Sequence, residues 1–353
     1  RYGYMPKIAA LKSYGILAFE DNIKSVETIQ DVFTDWMEIS YLAQNFGGPH
    51  YMSERDISFI DNWEVENYRR QVAKSTASGK KAENKIVIVT GGAQGFGGGI
   101  AENMITEGAN VVIADLNEEK GREMAGTLNR NTGKNIAVYV KTDVSDSSSV
   151  ENLVTETVKK FGGIDVFISN AGILRAGGLD EMTAETFELM TRINYNAYFL
   201  CAKYASGVMK LQSEYRQEYF SDIIQINSKS GLKGSNKNFA YAGGKFGGIG
   251  LTQSFALELM PYRIKVNSIC PGNFFEGPLW SDPEKGLFVQ YLRAGKVAGA
   301  KTIADVKGYY EKQVPAGRGC QVHDIMKAIF YVIDQEYETG QAVPVTGGQE
   351  MLK

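Results

Sequence analysis

Three side chains near the middle of the chain have the types and spacing for proton transfer: Ser228, Tyr241 and Lys245. Tyr241 and Lys245 bracket Ala242-Gly243-Gly244 in a helical stretch, and residues four apart share one helix face. An ammonium beside a phenol stabilises the phenolate and lowers its pKa from about 10 toward the neutral range. Tyr241 is therefore a candidate general acid/base. Ser228 ends the apolar run Ile223-Ile224-Gln225-Ile226-Asn227. Its hydroxyl can hydrogen-bond a carbinol or a carbonyl. Taken singly, a Tyr-x-x-x-Lys spacing and a strand-end serine are both ordinary features of unrelated proteins.

A second chemistry lies upstream. Thr90-Gly91-Gly92-Ala93-Gln94-Gly95-Phe96-Gly97-Gly98-Gly99-Ile100 sits between a strand pattern and a helix pattern. Glycines let a backbone turn tightly and approach a pyrophosphate, and the helix N-terminus aims free amides at the anion. Asp115 ends the next strand pattern. A carboxylate there accepts both ribose hydroxyls of an adenosine and repels a 2′-phosphate. Leu116 and Asn117 follow it, with no arginine to hold a phosphate. The expected cofactor is NAD rather than NADP; the other reading of Asp115 is a helix N-cap.

These residues need a scaffold. Short β-branched runs recur at 85–90, 110–115, 136–140, 164–169, 223–227, 264–269 and 342–346, with helical patterns between them. Continuous apolar strands are buried on both faces, so the pattern predicts an α/β fold: a doubly wound parallel sheet with helices on each side. Ser148-Ser149-Val150-Glu151 reads as a capping box opening one helix. The stretches 183–211 and 240–259 read as long packing helices.

The 353 residues carry 38 Lys+Arg against 41 Asp+Glu, for a net charge of −3. That balance gives no reason to expect a nucleic-acid partner. No run is long and apolar enough to suggest a membrane span. Cys201, Cys270 and Cys320 lack metal-ligand spacing and cannot all pair, which fits a reducing cytoplasm. His50 and His323 are the two histidines, too few for a three-histidine metal site, and no metal is expected. The start, Arg1-Tyr2-Gly3-Tyr4, has neither a signal core nor an initiator Met and reads as an internal boundary.

Residues 73–84 form a polar linker, and residues 1–72 have a different texture, a small α+β extension. Short strands are expected at Ile8–Leu11 and Gly15–Phe19. Ser25 is expected to cap a helix with Ile29, Phe33, Trp36 and Met37 on one face, a core or packing stripe.

Taken together, the motifs from 85 to 353 resemble the short-chain dehydrogenase/reductase family. They follow the family's order: the turn Thr90 to Gly97, Asp143-Val144, Asn170-Ala171-Gly172, Asn194, Ser228, Tyr241, Lys245 and Pro271-Gly272. The resemblance implies a tetrad in which Tyr241 passes the proton and Lys245 binds the nicotinamide ribose and tunes Tyr241. Ser228 would orient substrate and Asn194 would hold a water relay. It implies cofactor contacts from Gly91, Gln94, Gly95, Phe96, Gly97, Asp115, Leu116, Asp143, Val144, Asn170, Ala171, Gly172, Pro271, Gly272 and Phe274. Glu276 stands where the family often has a threonine that helps hold the carboxamide, so that contact is open. The family also implies a homodimer or homotetramer built on the long helices.

Longer strings are similar to the sorbitol-6-phosphate 2-dehydrogenases within that family. They are Ile223 to Gly231, Lys245 to Ser254, Val314 to Cys320 and Val345 to Gln349. The implied substrate is a polyol phosphate, with lactaldehyde, an unphosphorylated polyol or a non-catalytic NAD-binding role as alternatives. A phosphate dianion needs cations. Lys229, Lys233 and Arg175 are the candidates, with Asn273 and Glu276 as further substrate contacts. Residues 273–301 read as a loop-rich lid carrying Phe274, Phe275, Leu279 and Trp280. The segment 7–19 faintly resembles the end of a class II aldolase module, such as those fused to dehydrogenases in bifunctional proteins. Tyr14 stands where that module would have a metal-binding histidine, so the segment is read as a degenerate remnant or the tail of a longer module, with a packing or oligomerisation extension as the competing reading.

Overall fold

The computed structural model describes residues 6–20, 22–64, 79–293, 295 and 297–351. The chain divides into two compact units, 1–84 and 85–353. Residues 73–78 of the expected linker lie outside the described residues.

In the second unit the β-branched runs become β3 (Ile86–Thr90), β4 (Asn110–Asp115), β5 (Ala137–Lys141), β6 (Val166–Ser169), β7 (Ser221–Ile226), β8 (Ile264–Pro271) and β9 (Ala342–Val345). They form one parallel sheet in the order β5-β4-β3-β6-β7-β8-β9. Most of these strands are buried along almost their whole length because helices cover both faces, as their continuous apolar sequences require. The helices are α3 (Gly95–Thr106), α4 (Glu118–Thr132), α5 (Ser147–Phe161), α6 (Ala184–Thr191), α7 (Ala197–Tyr215), α8 (Phe239–Leu259), α9 (Pro278–Ser281), α10 (Leu287–Arg293), α11 (Ile303–Lys312) and α12 (Val322–Asp334). The chain builds from β3 out to β5, returns beside β3 at β6 and continues to β9. Such a reversal opens a crevice at the carboxyl ends of the strands, between β3 and β6.

A π-turn at Arg192–Asn196 joins α6 to α7, so the expected 183–211 helix is one run with an inserted bulge. Helix α5 is not capped by Ser148. Asp146 is the N-cap and accepts from the backbone N of Ser148 and Ser149 at 2.8 and 3.3 Å. A carboxylate one position before the helix reaches those amides first. Ser149 Oγ instead accepts from Asp143 N at 2.9 Å.

The segment after β8 is more ordered than its loop-like sequence suggests. Phe275, Trp280, Leu287, Phe288, Val297, Val306 and Val314 form their own buried cluster. The Trp280 ring packs edge-on against Phe275 at 5.0 Å and against Tyr310 at 5.3 Å. Phe275 and Trp280 therefore hold this subdomain together rather than forming an exposed apolar ceiling.

In the first unit, β1 (Ile8–Leu11) and β2 (Gly15–Ala18) form an antiparallel hairpin. Helix α1 (Ile23–Ala43) is capped by Asn22, whose side chain accepts from Ser25 N, so Ser25 lies inside the helix. No residue of α1 is buried, although Phe33 and Trp36 stack at 5.1 Å. Helix α2 (Glu54–Asp61) carries a Ser53/Asp56 capping box.

Candidate active site

The glycine turn lies between β3 and α3. Gly91 and Gly95 have φ of +62° and +61°, a region that glycine adopts without strain. A Cβ on Gly97 would sit 2.0 Å from Gly91 O and 2.6 Å from Asn170 Nδ2, so no side chain fits there. Around Gly95 the nearest obstacle is Pro278 Cδ at 3.8 Å. Gln94, the N-cap, offers no side-chain cap, and its Oε1 accepts from Lys120 Nζ instead. The first turn of α3 is thus open to an anion. Phe96 stacks on Phe274 at 4.3 Å, tying the turn to the segment after β8.

Asp115 ends β4. Its carboxylate accepts from Ala93 N at 3.1 Å and Asn117 N at 2.9 Å. The cap of α4 is Asn117, which accepts from Lys120 N, so Asp115 is not the helix cap. Leu116 is exposed and Val144 is buried. Asp143 spends one carboxylate oxygen on the backbone and hydroxyl of Ser145. Asn170 donates to Thr90 O and Gly91 O, and the Thr90 hydroxyl accepts from Asn170 N and Ala171 N. Those bonds fasten the glycine turn to the end of β6. Gly272, after β8, donates to Val345 O at 2.9 Å.

The candidate proton-transfer residues meet in the same crevice. Ser228 follows β7, and its Oγ accepts from Ser230 N at 3.1 Å. Tyr241 and Lys245 sit one turn apart on α8, with Lys245 Nζ 5.6 Å from the Tyr241 ring centroid. Lys245 is buried, donates to Ile226 O at 2.9 Å, and is brought down to about 8 by that burial. Burial pushes the Tyr241 phenol above its ordinary value, and the Ser228 side chain pulls it back. The expected lowering by Lys245 is therefore not what dominates here. The ammonium is turned to the Ile226 carbonyl and lies over the ring rather than against the hydroxyl. Asn194, in the π-turn, is buried with Oδ1 accepting from Ile173 N and Nδ2 donating to Ile173 O. Its side chain is committed to that loop, so a water held here would be bound by backbone groups, which π-turns expose.

The expected substrate residues fall into two groups. Lys229 is half-buried directly beside Ser228, and Lys233 Nζ lies 3.5 Å from Glu350 Oε2. Arg175 is exposed in the coil after Gly172. Glu276 is exposed and faces Lys307 of α11 at 3.9 Å. Asn273 uses its carbonyl to accept from Cys320 N. A cavity of about 130 Å³ lies between Gly272, Asn273 and the stretch Val345–Gln349.

Comparison with known proteins decides the family. The short chain dehydrogenase model matches residues 85–280. The chain belongs to the short-chain dehydrogenase family. It is 35% identical over 271 residues to sorbitol-6-phosphate 2-dehydrogenase of Escherichia coli (strain K12), covering 76% of this chain and all of that one. It is 32% identical over 281 residues to trans-4-hydroxycyclohexanecarboxylate dehydrogenase of Sinomonas cyclohexanicum, covering 78% and 96%. The crystal structure of sorbitol-6-phosphate 2-dehydrogenase from Erwinia amylovora superposes with a TM-score of 0.69 at 35% identity, covering 76% of this chain and all of that one. This short-chain dehydrogenase is accordingly an oxidoreductase of a family that uses nicotinamide cofactors.

Some residues of this dehydrogenase's site gave no separate signal in the sequence. Asn227 accepts from Ser228 N at 2.8 Å and donates to Lys245 O at 2.9 Å and Gln225 Oε1 at 2.8 Å. Gln225 Oε1 also accepts from Ser268 Oγ, which bonds Thr252 Oγ1, which in turn meets Tyr198 OH. This buried polar line braces Ser228 and Lys245 from behind. Gln349 Oε1 is buried without a partner, near the position a Gly272 Cβ would occupy. The resemblance string ending at Gln349 was the available hint.

Proposed function

We propose that the protein oxidises D-sorbitol 6-phosphate to D-fructose 6-phosphate, with NAD as cofactor. The observation that carries this reading is Lys229, a half-buried lysine placed directly after the catalytic serine. Its ammonium makes no hydrogen bond or direct ion pair among the described residues. A buried ammonium is costly without an anion, and a substrate phosphate would supply one. The names of the E. coli and Erwinia relatives point the same way.

The cofactor groove fits this assignment. The turn Gly91–Gly97 and the open first turn of α3 would hold the pyrophosphate, and Asp115 the adenosine ribose. Asp143 and Val144 would lie by the adenine, Asn170 to Gly172 and Lys245 by the second ribose, and Pro271, Gly272 and Phe274 by the nicotinamide. The dinucleotide bound there would accept the carbinol hydrogen as hydride. The chain's part is to hold the carbinol oxygen with the Ser228 hydroxyl and to take its proton at the Tyr241 oxygen. Lys245, whose ammonium lies over the Tyr241 ring, supplies positive charge near that phenol.

Members of the family pair through long helices, and Phe199, Leu211, Phe246 and Leu257 expose apolar surface on α7 and α8. A homodimer or homotetramer is part of the proposal, as is a cytoplasmic setting for the three free, buried cysteines. Residues 1–72 are read as an extension outside the reaction.

The test is initial-rate kinetics with sorbitol 6-phosphate and sorbitol, each with NAD and NADP. A charge-assisted contact to the phosphate predicts a preference of roughly 10- to 100-fold in kcat/KM for the phosphorylated substrate. Asp115 predicts NAD over NADP. A preference for sorbitol, or for NADP, would overturn the corresponding half of the reading.

A further inference from the structure

Next to the catalytic serine, one turn carries two ammonium groups, and a carboxylate from the other end of the unit pairs with the second of them. Lys229 and Lys233 lie four residues apart, with Lys233 N bonded to Lys229 O at 3.2 Å. Lys229 is half-buried. Lys233 is largely exposed and pairs with Glu350 Oε2 at 3.5 Å. The Glu350 side chain is only 20% exposed, so it is held inward rather than trailing in solvent. Its backbone is pinned on both sides by one hydroxyl: Glu350 N donates to Thr346 Oγ1, and that hydroxyl donates to Glu350 O. Thr346 is buried at the end of β9. Burial lowers the Lys229 ammonium, Glu350 pulls it back up and Lys233 opposes it.

We propose that Glu350 is a resident counter-ion of the subsite formed by Lys229 and Lys233, and that it sets how strongly the enzyme binds a phosphomonoester. The proposal rests on the polyol-phosphate reading above and adds to it the residue that tunes that selectivity. With Glu350 ionised, two cations and one anion leave a single net positive charge at the rim. A phosphate dianion reaching Lys229 meets that carboxylate as a like charge. An uncharged polyol meets no such opposition. Glu350 therefore weakens binding of the phosphorylated substrate while keeping the empty lysine pair from being an unbalanced, partly buried charge cluster. It also lets product leave, since a dianion held by two unopposed lysines would dissociate slowly.

The experiment compares wild type with Glu350→Gln and Lys229→Met on sorbitol 6-phosphate and sorbitol, with inorganic phosphate as a competitive probe. Glu350→Gln keeps the shape and removes the charge. It is expected to lower KM for sorbitol 6-phosphate and Ki for phosphate by roughly 3- to 10-fold, the range of a half-exposed charge interaction. Its kcat/KM ratio of phosphorylated over unphosphorylated substrate should rise accordingly. Lys229→Met should lower that ratio and weaken phosphate inhibition. Unchanged KM and Ki in Glu350→Gln, with folding verified by NAD binding, would overturn the proposal. So would phosphate inhibition that survives Lys229→Met at full strength. If wild type prefers sorbitol while phosphate still inhibits more tightly in Glu350→Gln, the substrate reading falls and the anion subsite stands.

Discussion

At the scale of single residues, the site's behaviour turns on where the Tyr241 proton sits. In the proposed mechanism, oxidation of the alcohol needs the Tyr241 phenolate. Burial raises the Tyr241 phenol, and the Ser228 hydroxyl is the group that lowers it. The rising limb of kcat/KM against pH therefore lies on the alkaline side. Removing Ser228 takes away a stabiliser of the phenolate, so Ser228→Ala should move that limb to still higher pH as well as lower its plateau. A profile from pH 6 to 11 checks this; a limb that moves toward neutrality would contradict it. Tyr241→Phe removes the proposed proton acceptor outright. Turnover should fall by roughly 10²- to 10⁴-fold, while NAD still binds in a fluorescence titration, because the groove residues are untouched.

At the scale of elements, the parallel sheet was legible because its strands are buried on both faces. Ile86–Thr90 and Asn110–Asp115 read as continuous β-branched runs for that reason. The glycine turn was legible because steric exclusion at Gly97 leaves no other residue type. Helix caps were less so. Ser148 and Ser25 look like caps in sequence, but Asp146 and Asn22 stand closer to the free amides, and only geometry decides between neighbours. The lid segment misled for another reason: its aromatics are spaced irregularly because they pack on one another, not on a sheet. The bracing of Ser228 and Lys245 by Asn227 is invisible in spacing, since it depends on a side chain bridging β7 and α8.

One buried feature of the elements carries a stability prediction. Lys265 on β8 is fully buried, pairs with Asp222 of β7 at 3.1 Å and donates to the carbonyls of Val332, Ile333 and Gln335 at the end of α12. The ammonium thus neutralises Asp222 and caps a helix C-terminus in one stroke. Lys265→Met would leave the carboxylate without its counter-charge and those carbonyls without a donor. It should destabilise the fold by about 3–5 kcal/mol, read as a lower denaturation midpoint in urea. Neighbouring α12 packs on β8 and α3, so the loss should also weaken NAD binding.

At the scale of the whole molecule, the catalytic unit is self-sufficient in one respect. Relatives that align over their entire length account for 76% of this chain, and the compact unit 85–353 contains every proposed catalytic and cofactor residue. A protein starting at Lys85 should fold and keep kcat/KM within about twofold, since no term in the transition state is lost. A collapse of kcat/KM in that protein would make the first unit part of the enzyme's working apparatus.

Assembly is the remaining question at this scale, and α7 and α8 pose it. Helix α8 packs its small face, Ala242, Gly244 and Gly248, inward, while Phe246 and Leu257 stay exposed. Helix α7 likewise leaves Phe199 and Leu211 in solvent. Exposing several large apolar groups on adjoining helices is unfavourable for a monomer, and a two-fold pairing would cover them. Sedimentation of the wild type should give a dimer or tetramer. The double variant Phe246→Glu, Leu257→Glu places charges in the middle of the buried area and should shift the species to monomer. Because Tyr241 and Lys245 lie on the same helix, the dissociated form should also lose activity. A wild-type monomer at micromolar concentration would remove the interface from this surface altogether.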